Sequence, residues 1–354
     1  YTTKIVQIFI IPNFYSKFHC LADKCSDTCC CGWEIEIDKH TETLYKNVSG
    51  SFGEKLKANI ENGQFKLLPK DRCPFLNSSN LCEIQKNLGE NFLCDICREH
   101  PRFHEWFGDY KESGLGLCCE EAVRLLLNEP SLEFLYSNCD EPNYALDKES
   151  LFLKDEIFKQ RKILFEILKN SSIPFSNRLL NALTQTELLQ QQILPEFSEQ
   201  NAPQEMNPEI LLSHFTQILL STESFGNAWN EAVLRIKNKP VSEILNSTNF
   251  SFSQAECENI IQYLLFRYFA KSIYDNLCLE KFKFAIFFMI ILQSFAKELA
   301  LDLSNSVKIN SVKLLSKQLE YSEENMNLLF YHFNNDALFS KKSFEILITK
   351  FFNF

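Results

Sequence analysis

The residues best suited to chemistry are sulfurs. Fourteen cysteines occur in 354 residues, and eleven of them fall between Cys20 and Cys119. They run as Cys20-x4-Cys25-x3-Cys29-Cys30-Cys31-Gly32-Trp33, then Cys73-Pro-Phe-Leu76 and Cys82-Glu-Ile-Gln85, then Cys94-x2-Cys97 and Cys118-Cys119. The opening stretch from Tyr1 to Ile11 has one lysine and a short apolar run without a small-residue cleavage site, so it reads as a poor signal peptide. In a reducing compartment such a density of thiols favours metal binding over disulfides. Soft thiolates select zinc, copper(I) or iron–sulfur clusters, and the common sites need about four ligands on loops that can wrap the metal.

The spacing leaves the metal open. A zinc ribbon needs two Cys-x2-Cys units, and only Cys94-x2-Cys97 supplies one. The Cys-x3-Cys-x2-Cys signature of radical enzymes fails as well, because Gly32 stands where the third cysteine would follow Cys25 and Cys29. A ligand set must therefore be drawn from distant segments, and neighbouring cysteines can serve one metal, a second metal or the core. Cys139, Cys257 and Cys278 stand apart and read as small buried hydrophobes. His100 and His104 would share one face of a helix, but Pro101 between them argues against that helix.

Composition narrows the classes. The formal charge of −10 argues against a sequence-independent grip on nucleic acid. The most apolar stretch, Phe284 to Leu292, is far shorter than the roughly 20 residues a membrane span needs, and reads as a buried helix. Nine glycines make no Walker or Gly-x-Gly-x-x-Gly pattern, so the usual phosphate cradles are absent. The chain is long enough to bury a core without metal staples, which makes any metal a functional one.

The elements that position these sulfurs are read as helices and loops. Leu153, Ile157, Leu164 and Leu168 recur at helical offsets with lysines and glutamates between them. Further helices are predicted over 210–220, 255–270, 271–301, 307–319 and 323–333, with Ser253-x-x-Glu256 as a capping box. The interval 190–208, with its three prolines, reads as a loop. Trp33-Glu-Ile-Glu-Ile-Asp38 alternates like a strand and predicts at most a small hairpin, with no larger sheet. The fold class is mainly α: a cysteine-rich N-terminal region of loops and short helices, plus a C-terminal helical bundle. A boundary near Pro142 divides a metal-cluster domain over 1–142 from an all-helical domain over 143–354.

The cysteine pattern, with Gly32-Trp33 and Cys97-x3-Pro101-Arg102, resembles the broad cysteine-cluster family of iron- or zinc-chelating proteins. Within it, Trp33-x-Ile-x-Ile-Asp38, Leu88-Gly89-Glu90, Glu120-Glu-Ala-Val-Arg-Leu125 and the run Asn259–Phe269 resemble the flagellin lysine N-methylases of bacteria. The resemblance implies methyl transfer from S-adenosylmethionine to lysine ε-amines of flagellin in the cytoplasm, with a [4Fe–4S] cluster present. By position, it implies Cys20, Cys25, Cys29, Cys30, Cys73, Cys82, Cys97 and Cys118 as metal ligands; Cys31, Cys94 and Cys119 are additions the pattern does not need.

A methyl donor of that kind carries a cationic sulfonium, which suits an aromatic face or a carboxylate. Trp33, Asp38, Glu112 and Trp106 are candidates on those grounds, while Arg98, Arg102 or Arg124 could hold the donor's carboxylate. Asp38 also reads as a helix cap before His40, and Trp33 as core packing. The catalytic residues are not legible. The competing reading is a non-enzymatic metal-binding protein, or a zinc-scaffolded interaction protein in which the cysteines are structural.

Overall fold

The computed structural model describes residues 7–26, 28–69, 71–139, 144–224, 226–246, 252–298 and 305–353. The expected boundary at Pro142 lies outside them. Helices dominate, as the helical periodicities predict. Contacts divide the chain into two compact units, each discontinuous in sequence: Tyr1–Ser16, His104–Gly114 and Val123–Phe354 form the larger, and Lys17–Phe103 with Leu115–Ala122 the smaller. A cut at 142/143 runs through the larger of these.

In chain order the elements before residue 140 are β1 (Gln7–Pro12), α1 (Lys39–Lys46), α2 (Gly50–Ala58), β2 (Ile60–Glu61), β3 (Gln64–Phe65), α3 (Glu83–Leu88), α4 (Asp95–Glu99), β4 (Arg102–Phe107), β5 (Tyr110–Leu115), α5 (Glu120–Asn128) and β6 (Phe134–Cys139). Four of these strands make a sheet of order β4-β5-β1-β6, which corrects the expectation of no larger sheet. β1 runs parallel to β5, with Ile10 opposite Glu112, and antiparallel to β6, with Gln7 opposite Cys139. Alternation failed to announce this sheet because its polarity is inverted in places. Glu112 and Ser113 are buried in β5, whereas Leu135 and Tyr136 of the edge strand β6 are exposed.

The helices of the larger unit follow as α6 (Lys148–Lys169), α7 (Phe175–Ile193), α8 (Pro208–Ser221), α9 (Asn227–Asn238), α10 (Val241–Asn246), α11 (Gln254–Tyr268), α12 (Ser272–Asp275), α13 (Cys278–Glu298), α14 (Asn305–Leu319), α15 (Glu323–Asn335) and α16 (Lys341–Phe351). α13 is apolar on nearly every side, and Phe282 and each residue from Phe284 to Leu292 are fully buried. A helix hydrophobic all round must sit at the centre; α7, α11, α14, α15 and α16 pack against it. The capping box forms as predicted, with Ser253 Oγ accepting from Glu256 N and Glu256 Oε2 from Ser253 N. The single helix expected over 271–301 is instead two. Asn276 takes a left-handed conformation at φ +60° and ends α12. Gln190 then serves both ends of the break, donating to Asn276 O at 2.7 Å and accepting from Cys278 N at 2.8 Å. No helix among the described residues is long and apolar enough to cross a membrane.

The smaller unit is built around an extended segment and a hairpin. Ile35 and Ile37 are buried while Glu34 and Glu36 face solvent, so the alternation read at 33–38 is real. That segment does not fold back on itself. It pairs with the separate β2–β3 hairpin, through Phe65 N to Ile35 O and Ile37 N to Gly63 O. The hairpin turns at Asn62-Gly63, both at positive φ, a conformation that glycine takes without cost and asparagine tolerates. Tyr45, Leu56, Phe65, Phe75, Leu76 and Ile84 complete a small core with Cys73 and Cys94.

Candidate thiol-rich metal centre

Three short segments bring sulfurs into that core. Cys73 opens a turn whose backbone N donates to Cys30 O at 2.8 Å. Arg72 ties the same turn down by donating to Asn77 O at 2.7 Å. Cys82 is the cap residue of α3, anchored by Glu83 N to Phe75 O at 2.7 Å. Cys94 is the cap residue of α4, and Cys97 follows one turn later. Loop-to-helix corners of this kind release backbone from regular pairing, so successive side chains can converge. Cys73 and Cys94 are buried, and Cys30, Cys31, Cys82 and Cys97 pack partly buried against the same core.

Electrostatics tie these thiols together. Burial pushes Cys73 up to about 11, helped by nearby Cys82, Cys94 and Cys31, although a hydrogen bond from Phe75 N opposes it. Cys82 is raised chiefly by burial too. Cys94 and Cys97 lie with their Sγ atoms 3.3 Å apart. Their hydrogen bond holds Cys94 below and Cys97 above the ordinary thiol value, since the two cannot both ionise readily. Tyr45 sits among them with its hydroxyl donating to Phe92 O at 2.7 Å, and burial followed by Cys94, Cys97 and Cys82 raises its phenol. Nothing in the sequence pattern singled out Tyr45; its place is set by α1 folding onto the thiol core.

Cys25, Cys118 and Cys119 belong to the same unit but not to that core. Burial raises Cys119 to about 12, with Cys118 and Cys25 adding to the effect. Cys118 Sγ lies 3.8 Å from His100 Nε2. Glu120 Oε2 accepts from Ser26 N at 2.9 Å and lies 3.6 Å from Cys25 Sγ. Of the eight implied ligands, Cys30, Cys73, Cys82 and Cys97 share that core, Cys25 and Cys118 lie outside it, and Cys20 and Cys29 are exposed. The same-face pairing of His100 and His104 is not formed, because α4 ends at Glu99 and His104 lies in β4, bonded to Ser113 at 2.6 Å.

The candidates for donor binding fare differently. Trp33 is half-buried rather than core: its Nε1 donates to Cys29 O at 2.7 Å, and its ring lies 5.5 Å from that of His100. The Arg102 guanidinium sits over the Phe18 ring at 5.2 Å. Asp38 has both carboxylate oxygens engaged as a cap, accepting from Thr41 N at 2.8 Å and Asp95 N at 3.0 Å. Glu112 departs furthest from its expected place beside a donor. It belongs to the larger unit and is fully buried in a bidentate pair with Arg161, which also donates to Phe266 O at 3.0 Å. Trp106 lies in that unit too, 5.4 Å from Tyr144 with Lys111 over its face. Arg98 is paired with Asp95.

The donor chemistry suits a thiolate-bound metal. All fourteen cysteines are free of disulfides, and six share one core. No three Cys, His, Asp or Glu side chains among the described residues stand grouped around a single ion.

Over 129 residues, 34% of its length, this chain is 33% identical to the lysine-N-methylase of Salmonella typhimurium and to the flagellar biosynthetic protein FliU of Salmonella muenchen. That stretch is 32% of the methylase and 76% of FliU. The lysine-N-methylase of Salmonella choleraesuis matches at the same 33%, again over 32% of its length. No family model and no solved structure matches the chain. The chain belongs to the flagellin lysine N-methylase family; it spans about a third of the length of the full methylases it matches.

Proposed function

We propose that this chain is a protein-lysine N-methyltransferase acting on flagellin, with S-adenosylmethionine as methyl donor and a metal centre held by its N-terminal cysteines. The similarity to the named lysine-N-methylases and to FliU carries this reading. In the transfer, a neutral lysine nitrogen forms a bond to the donor's methyl carbon as the carbon–sulfur bond breaks, and the amine proton passes to a base or to water. A free lysine has a pKa of about 10.4, so the site must favour the neutral amine by desolvation or by a proton acceptor. Trp33 offers an aromatic face to the sulfonium and Arg102 a guanidinium to the donor's carboxylate. Asp38 and Glu112, already engaged, drop out of that role. Cys30, Cys73, Cys82 and Cys97 are the residues that would hold the [4Fe–4S] cluster; a bound cluster would supply redox capacity or a rigid scaffold. Zinc on the same thiols is the alternative.

The test is incubation of the purified chain with unmodified flagellin and methyl-labelled S-adenosylmethionine, followed by peptide mapping. Label on flagellin lysines supports the reading. Absence of label with a correctly folded, metal-loaded chain removes it and leaves a metal-binding interaction protein.

A further inference from the structure

Three cysteines lie beyond the eight positions of the family pattern, and one of them is set apart by its contact. Cys94 Sγ stands 3.3 Å from the Sγ of Cys97, a position the pattern assigns to metal. The pair is held on one turn: Cys94 is extended at φ −62° and ψ 154° as the cap of α4, and Cys97 N donates to Cys94 O at 3.0 Å. Tyr45 fixes the approach to that turn through its bond to Phe92 O. A Cys-x2-Cys corner that aims both sulfurs at one point is the geometry by which two thiolates chelate a single ion. Cys119, by contrast, lies outside that core.

The division of the eight positions strengthens the case. Cys25, Cys118 and Cys119 lie outside the thiol core, and Cys20 is exposed, accepting from Ala22 N. The core itself gathers Cys73, Cys82 and Cys97 from three separate corners, and Cys94 is the most buried sulfur among them, 1% exposed. Four thiolates from such corners are the usual complement of a structural zinc or an iron–sulfur cluster.

We propose that Cys94 is a metal ligand in this chain, joining Cys97 as a two-sulfur chelate on the metal of the thiol core. This rests on the metal-binding part of the function proposed above and is independent of methyl transfer. The probe is cobalt(II), titrated anaerobically into the metal-stripped chain, with the thiolate-to-cobalt absorption read for the unsubstituted protein, Cys94→Ala and Cys119→Ala. Cys94→Ala loses part of the band and binds cobalt at least about tenfold more weakly; Cys119→Ala matches the unsubstituted chain. A Cys94→Ala band and affinity equal to the unsubstituted protein's overturn the proposal. Should Cys94→Ala not fold, alkylation of the unsubstituted chain decides by peptide mass: cobalt must slow modification of Cys94 and Cys97 together, and equal rates for Cys94 with and without cobalt sink the idea. A chain that binds no cobalt overturns this proposal and the metal reading at once, while the labelling of flagellin still stands or falls separately.

Discussion

At the scale of single residues, the type of side chain was readable and its company was not. The cysteine density pointed to metal binding, and the resemblance chose eight positions for it. Neither could say that Cys94 joins Cys97 while Cys25 and Cys118 go elsewhere, because that sorting is made by the folding of loops on α3, α4 and α5. Glu112 teaches the same lesson from the other side. As a carboxylate, Glu112 looked suited to a cationic donor, yet Arg161, 49 residues away, claims both its oxygens in the core. Burial raises the Glu112 carboxyl and the adjacent guanidinium opposes that rise. Removing one partner of a buried pair leaves the other charge desolvated, which costs about 3–5 kcal/mol. Glu112→Gln should therefore lower the unfolding free energy, read from the denaturant midpoint and slope, by an amount in that range and leave the cobalt spectrum unchanged. A variant as stable as the original would show that the pair carries no such weight.

At the scale of elements, local signals with a built-in partner were legible. The capping box at Ser253 and Glu256 needs only four residues, and α13 declares itself by being apolar on all sides. Breaks made by remote groups were not: Asn276 ends α12, but the chain can turn there because Gln190 of α7 supplies the missing hydrogen bonds. Gln190→Ala leaves buried backbone groups unpaired and should cost about 2 kcal/mol or more, measured by chemical unfolding followed by circular dichroism. Asp38 makes a comparable joint in the smaller unit, capping α1 and holding the first amide of α4 beside Cys94. Loss of the α1 cap alone is worth about 1 kcal/mol, so Asp38→Ala should destabilise by at least that and weaken cobalt binding through α4. Burial acts to raise the Asp38 carboxyl, but the Thr41 and Asp95 amides outweigh it and hold it below its ordinary value of 3.8. A depressed carboxyl stabilises the fold fully above that ordinary value and loses its contribution as pH falls through the lowered folded value. Wild type and Asp38→Ala should accordingly converge in stability as the solution is acidified below about pH 4.

At the scale of the whole molecule, the segregation of chemistry from scaffold was legible, since cysteines crowd one part of the chain and helical periodicity fills the other. The interleaving was hidden. The N-terminal third of the chain passes back and forth between the compact units, and only tertiary pairing reveals that His104–Gly114 belongs with the long helices. The two units have unequal means of staying folded. The larger one has α13 and its ring of packed phenylalanines, such as Phe215 and Phe339 stacked at 4.4 Å. The smaller one counts thiols among its core residues, and a small core with few apolar side chains gains most from a staple. The whole chain is long enough to do without metal, but its smaller unit is not equally provided, and a metal that binds only the folded form stabilises that unit by mass action. Stripping the metal with a chelator should then raise amide hydrogen exchange within Lys17–Phe103 and Leu115–Ala122, while α7, α11 and α13 keep their protection. Exchange that rises equally across α13 would mean the units unfold as one, and exchange that does not change anywhere would mean the thiols hold no metal that matters to the fold.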